Sequence, residues 1–455
     1  MKIEKMKKNF LEKLIAHTTV TDSIINKYSL LLDRVIRNLS DDIVSVKASL
    51  YRESNIDKYI KDFIDRQKLG TGLVLSFGTS KFSKTVFYGN AKEYSQSNDG
   101  SIVSDVVPIR EDSVFDLASV SKVFTCYAVM KLFEQGLIDI DKPISNYDSR
   151  FVNIKNYSLR QILSFQKCFI TDKLIDESML LNEAEDLIFN IRAKDITLRP
   201  YSDMGAIIAK YVIESALHKD FFSIVKKTIL IPNNLENTFI NLEDCEKNNT
   251  SFLSNNFERK ILCDECTVDC NTPEGVVHDL KAKVFGQYGK YFPGHAGLFS
   301  NSTDMVKFLQ SILSQKIILK ENIDKITQNY VGFKDEENNY SQHLGMLCHT
   351  KHPLVKQSEV YELLSDAAVA QGGYTGTYIT YDIINDIFLF LGTNRCHNRI
   401  TSISKEVNVT NKEQAENWKK QFYDTHMYAW QRDELIHKAL DLAIQYSFLD
   451  YIFAN

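Results

Sequence analysis

Ser119 and Lys122 open a segment, Ser119-Val120-Ser121-Lys122-Val123-Phe124, that stays apolar on nearly every face until Gly136. Residues spaced by three share a helix face, so the lysine amine is set beside the serine hydroxyl. Burial disfavours an ammonium and lowers a lysine's pKa, one route to a base for a serine nucleophile. A helix N-terminus adds backbone donors and a positive dipole end where an oxyanion would form. The chemistry this suggests is acyl transfer through Ser119. Alone, Ser-x-x-Lys is a common pattern, and its simpler reading is a helix cap followed by a lysine that stretches to water.

A helix apolar on every face must be covered on every side. Residues 56–68 (IDKYIKDFIDRQK) read as a helix ending at Gly70, followed by strands at 73–78 and 84–89 joined by a polar turn. Residues 377–381 and 386–392 form a second hairpin near the other end. Between them the periodicity is mostly helical from 119 to 235, 241–272 is a polar, Asn-rich stretch with little pattern, and helices return near 303–315 and 321–328. Strands enclosing a helical middle predict an α/β (α+β) fold: one antiparallel sheet, built from 55–118 and 365–399 and flanked by helices, with a mostly helical region inserted at 119–364. The unit 55–399 is preceded by an N-terminal extension, 1–54, read as two helices from its Leu and Ile spacing. It is followed by 400–455, a polar segment and a helix near 431–448 expected to pack on the sheet.

Four stretches carry more than patterning: Phe115-Asp116-Leu117-Ala118-Ser119-Val120-Ser121-Lys122, Arg199-Pro200-Tyr201-Ser202-Asp203-Met204-Gly205, the pair Gly275-Val276-Val277-His278-Asp279 and Gly294-His295-Ala296-Gly297, and Gln371-Gly372-Gly373-Tyr374-Thr375-Gly376-Thr377. In order and content they resemble the serine β-lactamase and penicillin-binding-protein superfamily, in its class C β-lactamase and esterase branch, over about residues 56–398. The resemblance implies that Ser119 becomes acylated, that Lys122 helps take its proton, and that Tyr201 relays a proton to the leaving group. Asp203 stands where relatives have Asn and would hold Lys122 by a charge-assisted bond. That swap favours a charged lysine and moves the base role towards Tyr201. The family's oxyanion hole corresponds to the backbone amides of Ser119 and Tyr374, and Gln371, Gly372 and Gly373 fall on its substrate-binding strand.

Two departures bear on substrate. Gln371 replaces a Lys or His and Gly372 a Thr, so the charge that penicillin-type enzymes aim at a carboxylate is missing. The result resembles the Trp-Gly-Gly form of esterases in this superfamily. Leu163-Ser164-Phe165-Gln166-Lys167-Cys168 stands where the family it resembles usually has Leu-Thr-His-Thr-Ser-Gly, which predicts a reshaped rim. A small ester, or an amide, is the expected substrate. The rivals are a D-amino-acid peptidase, penicillin-binding carboxypeptidase or β-lactamase, and a non-catalytic scaffold that kept the fold. Hydrolysis and acyl transfer share one intermediate and stay unseparated.

Composition limits the partners. Lys plus Arg number 54 against 59 Asp plus Glu, a net charge of −5, which argues against a nucleic-acid footprint. No apolar run approaches the roughly 18 residues of a membrane span. The start, MKIEKMKKNFLEKLIAH, lacks an export signal's apolar core, so a cytoplasmic protein is expected. The eight Cys read as reduced thiols. Cys263-x2-Cys266-x3-Cys270, with His278 nearby, has metal-like spacing but no regular fourth ligand, and is read as a polar loop. No metal and no cofactor is expected. His278 and His295 are read as loop-stabilising, and the Lys-rich start as a solvated helix face, with self-association or surface binding as the other role for those helices.

Overall fold

The two hairpins read from the sequence meet in one antiparallel sheet. The computed structural model describes residues 2–241, 251–263, 265–403 and 411–455; part of the Asn-rich stretch and part of the polar segment after the sheet lie outside them. In chain order the strands are β1 (Gly72–Gly78), β2 (Ser83–Gln96), β3 (Ile102–Pro108), β4 (Val114–Asp116), β5 (Cys168–Ile170), β6 (Arg192–Lys194), β7 (Glu258–Leu262), β8 (Glu265–Cys270), β9 (Phe299–Asn301), β10 (His349–Thr350), β11 (Val369–Gly372), β12 (Tyr378–Asp382), β13 (Ile387–Thr393) and β14 (Ile400–Ile403). The main sheet runs β10-β11-β12-β13-β1-β2-β3, so the centre pairs a strand from each end of the chain. Every residue of β1 and β13 is buried, which is why both read as continuous apolar runs and not as alternation.

Alternate residues of these central strands feed two cores. Leu73, Leu75 and Phe77 join Leu389 and Leu391 on one face, and Val74 joins Phe388 and Phe390 on the other. The second face is covered by the apolar nucleophile helix and its neighbours. The first is covered by the two ends of the chain. Helices α1 (Lys2–Ala16), α2 (Asp22–Arg37) and α3 (Ile43–Ser54) bring Phe10, Leu14, Tyr28, Leu32, Val35, Val46 and Leu50 to the sheet, beside Leu440, Ala443 and Phe448 of the C-terminal helix Asp433–Ala454.

Some elements differ from the sequence reading. The first 54 residues form three helices and not two, because Asp42 caps a new start by accepting the Val44 amide at 3.0 Å. The helix at 56–68 is α4 (Ile56–Lys61) running into a π-helical turn, Asp62–Arg66. Strand β3 was not read from the sequence, and the supposedly patternless stretch holds the β7–β8 hairpin, to which β14 adds in parallel. β3 and β8 lie at sheet edges with largely exposed side chains, so little apolar signal marks them. No helix among the described residues is long and apolar enough to cross a membrane.

Candidate active site

The nucleophile turn is pinned before the helix starts. β4 pairs with β9 at the base of the turn, and the buried Asp116 carboxylate accepts the amides of Ala118 at 2.8 Å and His278 at 2.7 Å. From the other side Thr375 and Thr377 donate to the carbonyls of Asp116 and Leu117, at 2.7 and 2.9 Å. Between these anchors Ala118 takes φ 44°, a left-handed conformation costly for a residue with a Cβ. Ser119 follows in a single 3-10 turn (Ala118–Val120) that leads into α5 (Ser121–Glu134).

Lys122, on the first turn of α5, is fully buried. Its Nζ lies 2.8 Å from Ser119 Oγ, 2.8 Å from Asp203 Oδ1 and 3.2 Å from the His295 carbonyl. Three acceptors match the three donors of an ammonium. Burial works to lower the Lys122 pKa, but Asp203 and Tyr201 outweigh it and hold the amine above the usual lysine range. The burial-driven neutral amine expected from the helix alone is therefore overturned; the Asp203 carboxylate keeps Lys122 charged. Asp203 sits at the N-terminus of α8 (Met204–Leu217), the third helix after α5, following α6 (Leu159–Leu163) and α7 (Leu181–Phe189). Burial pushes its carboxyl up, yet Lys122, His295 and Lys281 together hold it well below the carboxylate range.

The ion pair extends further than the motifs. Lys281 Nζ is 3.0 Å from Asp203 Oδ2 and 3.8 Å from Asp279 Oδ2, and His295 Nε2 is 2.9 Å from Asp279 Oδ1. His295 thus holds the network by its carbonyl and its ring, in keeping with a loop-stabilising role. Lys281 carries no motif signal and was missed. Asp203, Asp279 and His295 stand close enough to share a cation, and the Lys281 ammonium already fills that part.

Tyr201 is held by its hydroxyl and its ring. Gln371 Nε2 donates to Tyr201 Oη at 2.7 Å and to the Gly372 carbonyl at 3.0 Å. The Tyr201 ring stacks on Phe165 at 5.5 Å and on His349 at 5.1 Å, with Lys122 Nζ 5.2 Å from its centre. Phe165 belongs to the altered rim loop. His349, on edge strand β10, was not read from the sequence; burial pushes its imidazole pKa down, with Arg432 and Lys122 adding to the effect, so it stands neutral.

Strand β11 lies close against the nucleophile turn because Gly373 has no side chain: a Cβ there would sit 2.1 Å from Thr377 Oγ1 and 2.7 Å from the Leu117 carbonyl. At Gly372 a Cβ would meet the Arg432 guanidinium at 3.1 Å. Tyr374 follows in the turn, its carbonyl bonded by Arg395 Nη1 at 3.2 Å and its hydroxyl donating to Glu258 Oε1 at 2.6 Å. Among the described residues its amide has no acceptor.

A serine hydroxyl at a strained turn, a buried ammonium and a phenol, set between an antiparallel sheet and a helical region, define a serine hydrolase of the β-lactamase fold. The family profile Beta-lactamase matches residues 96–401, and the chain belongs to that family. A protein named "Putative D-alanyl-D-alanine carboxypeptidase" from Escherichia coli O157:H7 is 21% identical over 398 residues, covering 79% of this chain and 86% of its own. One of the same name from Salmonella gallinarum is 26% identical over 358 residues, 71% of this chain and 78% of its own. Among solved structures, a β-lactamase/D-alanine carboxypeptidase from Pseudomonas syringae superposes with TM-score 0.58 at 12% identity, over 85% of this chain and 98% of its own. EstCE1, a hydrolase with promiscuous acyltransferase activity, does so with TM-score 0.57 at 16% identity, over 83% and 99%.

Proposed function

We propose that the protein hydrolyses small esters through a Ser119 acyl-enzyme. Ser119 Oγ attacks the carbonyl carbon, its proton passes to Tyr201, and the same proton leaves with the departing alkoxide as the ester C–O bond breaks. Water then repeats the sequence and releases the acid. Lys122 stays an ammonium beside the Tyr201 ring, and the neutral Gln371 amide donates to the Tyr201 hydroxyl. The amides of Ser119 and Tyr374 receive the oxyanion. The observation that carries this reading is Lys122 Nζ at 2.8 Å from both Ser119 Oγ and Asp203 Oδ1, which makes it a charge holder and leaves the base to Tyr201.

Gln371 supports an ester over a carboxylate-bearing substrate. Arg395, the cation beside Tyr374, spends its guanidinium on the carbonyls of Tyr374 and Thr401, at 3.2 and 3.3 Å. The name shared by the curated relatives favours a second reading, release of a C-terminal D-amino acid. Incubation with a fluorophosphonate probe, short-chain p-nitrophenyl esters, a D-alanyl-D-alanine peptide and a fluorescent penicillin, with Ser119→Ala alongside, separates the two. Labelling and ester turnover that vanish in Ser119→Ala are expected. Peptide cleavage or penicillin acylation without ester turnover would replace the first reading by the second, and no labelling at all would reject both.

A further inference from the structure

Behind Tyr374, outside the acyl-transfer network, four donor side chains converge from segments far apart in sequence. Glu258 and Cys270 are cross-strand partners in the β7–β8 hairpin. His278 precedes the helix Leu280–Gly286, and Cys396 follows β13. Glu258, His278 and Cys396 are buried, and one carboxylate oxygen, one ring nitrogen and the thiol lie within 4.8 Å of one another. Cys270 lies beside the His278 ring.

His278 is only 7% exposed, and its buried Nε2 lies 2.9 Å from Glu258 Oε2, an ion-pair distance, without a further hydrogen-bond partner. Glu258 uses its other oxygen for the hydroxyls of Tyr374 and Thr401. Burial works to lower the imidazole pKa, but Cys270 and Glu258 outweigh it and raise it to about 10, so a cation that takes this place among the carboxylate, imidazole and thiols displaces the imidazole proton.

We propose that Glu258 Oε2, His278, Cys396 and Cys270 bind one divalent zinc-type ion. The donor set decides the class: thiolate, imidazole and carboxylate together suit zinc, whereas calcium and magnesium take oxygen ligands. Tetrahedral zinc with ligand bonds of about 2.0–2.3 Å sets its donors roughly 3.3–3.8 Å apart, so Glu258, His278 and Cys396, within 4.8 Å of one another, close by shifts of about 1 Å, and Cys270 beside the His278 ring completes the set. Binding releases the protons of the two thiols, and of the imidazole where it is charged, to solvent. Lys283, 4.0 Å from Cys270 Sγ, offsets the residual negative charge. Tyr374 stacks on His278 at 5.5 Å and bonds Glu258, so the ion would also fix the loop that carries the Tyr374 amide. Metal binding does not depend on the role given to that amide.

The test uses the full chain, stripped with chelator under reducing conditions and then titrated with Zn²⁺ or Co²⁺. One zinc per chain should survive gel filtration, and the cobalt form should show a thiolate-to-metal charge-transfer band. Cys396→Ser and Cys270→Ser should each weaken zinc binding by at least about 10-fold. Cys263→Ser, at the exposed hairpin turn, should bind as wild type does. Wild-type protein that is folded by circular dichroism but retains no zinc overturns the site, as do Cys396→Ser and Cys270→Ser variants that bind zinc as tightly as wild type. Should Cys396→Ser fail to fold, Cys270→Ser and the wild-type cobalt spectrum decide. Ester turnover is not the readout, so failure here is distinct from failure of the esterase reading.

Discussion

At Gln371 one side chain sets both the proton path and the substrate class. Its amide bonds the Tyr201 hydroxyl at 2.7 Å without adding charge. Gln371→Lys should therefore speed acylation by a carboxylate-bearing substrate such as a penicillin, by about tenfold, which is about 1.4 kcal/mol and the scale of one charge-assisted hydrogen bond over a neutral one. Turnover of an uncharged p-nitrophenyl ester should change little, because that substrate has nothing for the new charge to bind. Stopped-flow acylation with both substrates checks this, and equal gains on the two would remove the argument for an ester. Ser119 and Lys122 were legible from their spacing only together with the motifs around them, and Tyr201, Gln371 and Tyr374 from motif content. Phe165, Lys281 and His349 were not, because each is a single residue delivered by tertiary packing: His349 reaches Tyr201 only through the pairing of β10 with β11.

Between elements, the site depends on how closely β11 approaches the nucleophile turn, and Gly373 sets that distance. The Cβ of Gly373→Ala would meet the Leu117 backbone carbonyl at 2.7 Å, so the strand must move away from Ser119. A displacement near 1 Å costs on the order of 100-fold in rate when it separates an oxyanion donor from its nucleophile. We expect kcat for ester hydrolysis to fall by that factor with the melting temperature little changed, and a variant within threefold of wild type would mean the Tyr374 amide is not a donor. The C-terminal helix makes a different prediction. Burial pushes the Asp433 carboxyl up to about 7 from an ordinary 3.8, with Arg432 opposing and Glu359 adding to the rise. A carboxyl raised on folding costs nothing below the unfolded pKa, where both states are neutral. Stability is lost as pH rises from about 4 through about 7, because the unfolded chain ionises first. Asp433→Asn should thus melt above wild type at pH 8 and match it at pH 4, in thermal unfolding followed by circular dichroism. A difference that is the same at both pH values would show that burial of this carboxylate is not the cause. Central strands β1 and β13 were legible because both faces are buried, while β3 and β8, half exposed at edges, offered no such pattern.

At the scale of the whole chain, the centre of the main sheet is covered on both faces. The family match begins at residue 96, yet β1 at 72–78 pairs with β13 in the middle of the sheet, and α1 to α3 cover the side away from Ser119. Phe10, Leu14, Tyr28, Leu32, Val35, Val46 and Leu50 are at most 1% exposed. At about 1.5–3 kcal/mol for each buried apolar side chain, their burial contributes roughly 10–21 kcal/mol before ordering entropy, as large as the 5–15 kcal/mol that is typical of a folded domain's net stability. Removal of residues 1–54 should consequently give a chain that aggregates or loses its cooperative melt, although it keeps Ser119, Lys122 and Tyr201. Size-exclusion chromatography and thermal unfolding of the truncated chain decide the point. A monodisperse truncation with a sharp transition and undiminished ester turnover would make the N-terminal helices an attachment for some other purpose, and would reopen self-association as their role. An aggregate rescued by co-expressing residues 1–54 as a separate peptide would establish them as the missing layer over the sheet.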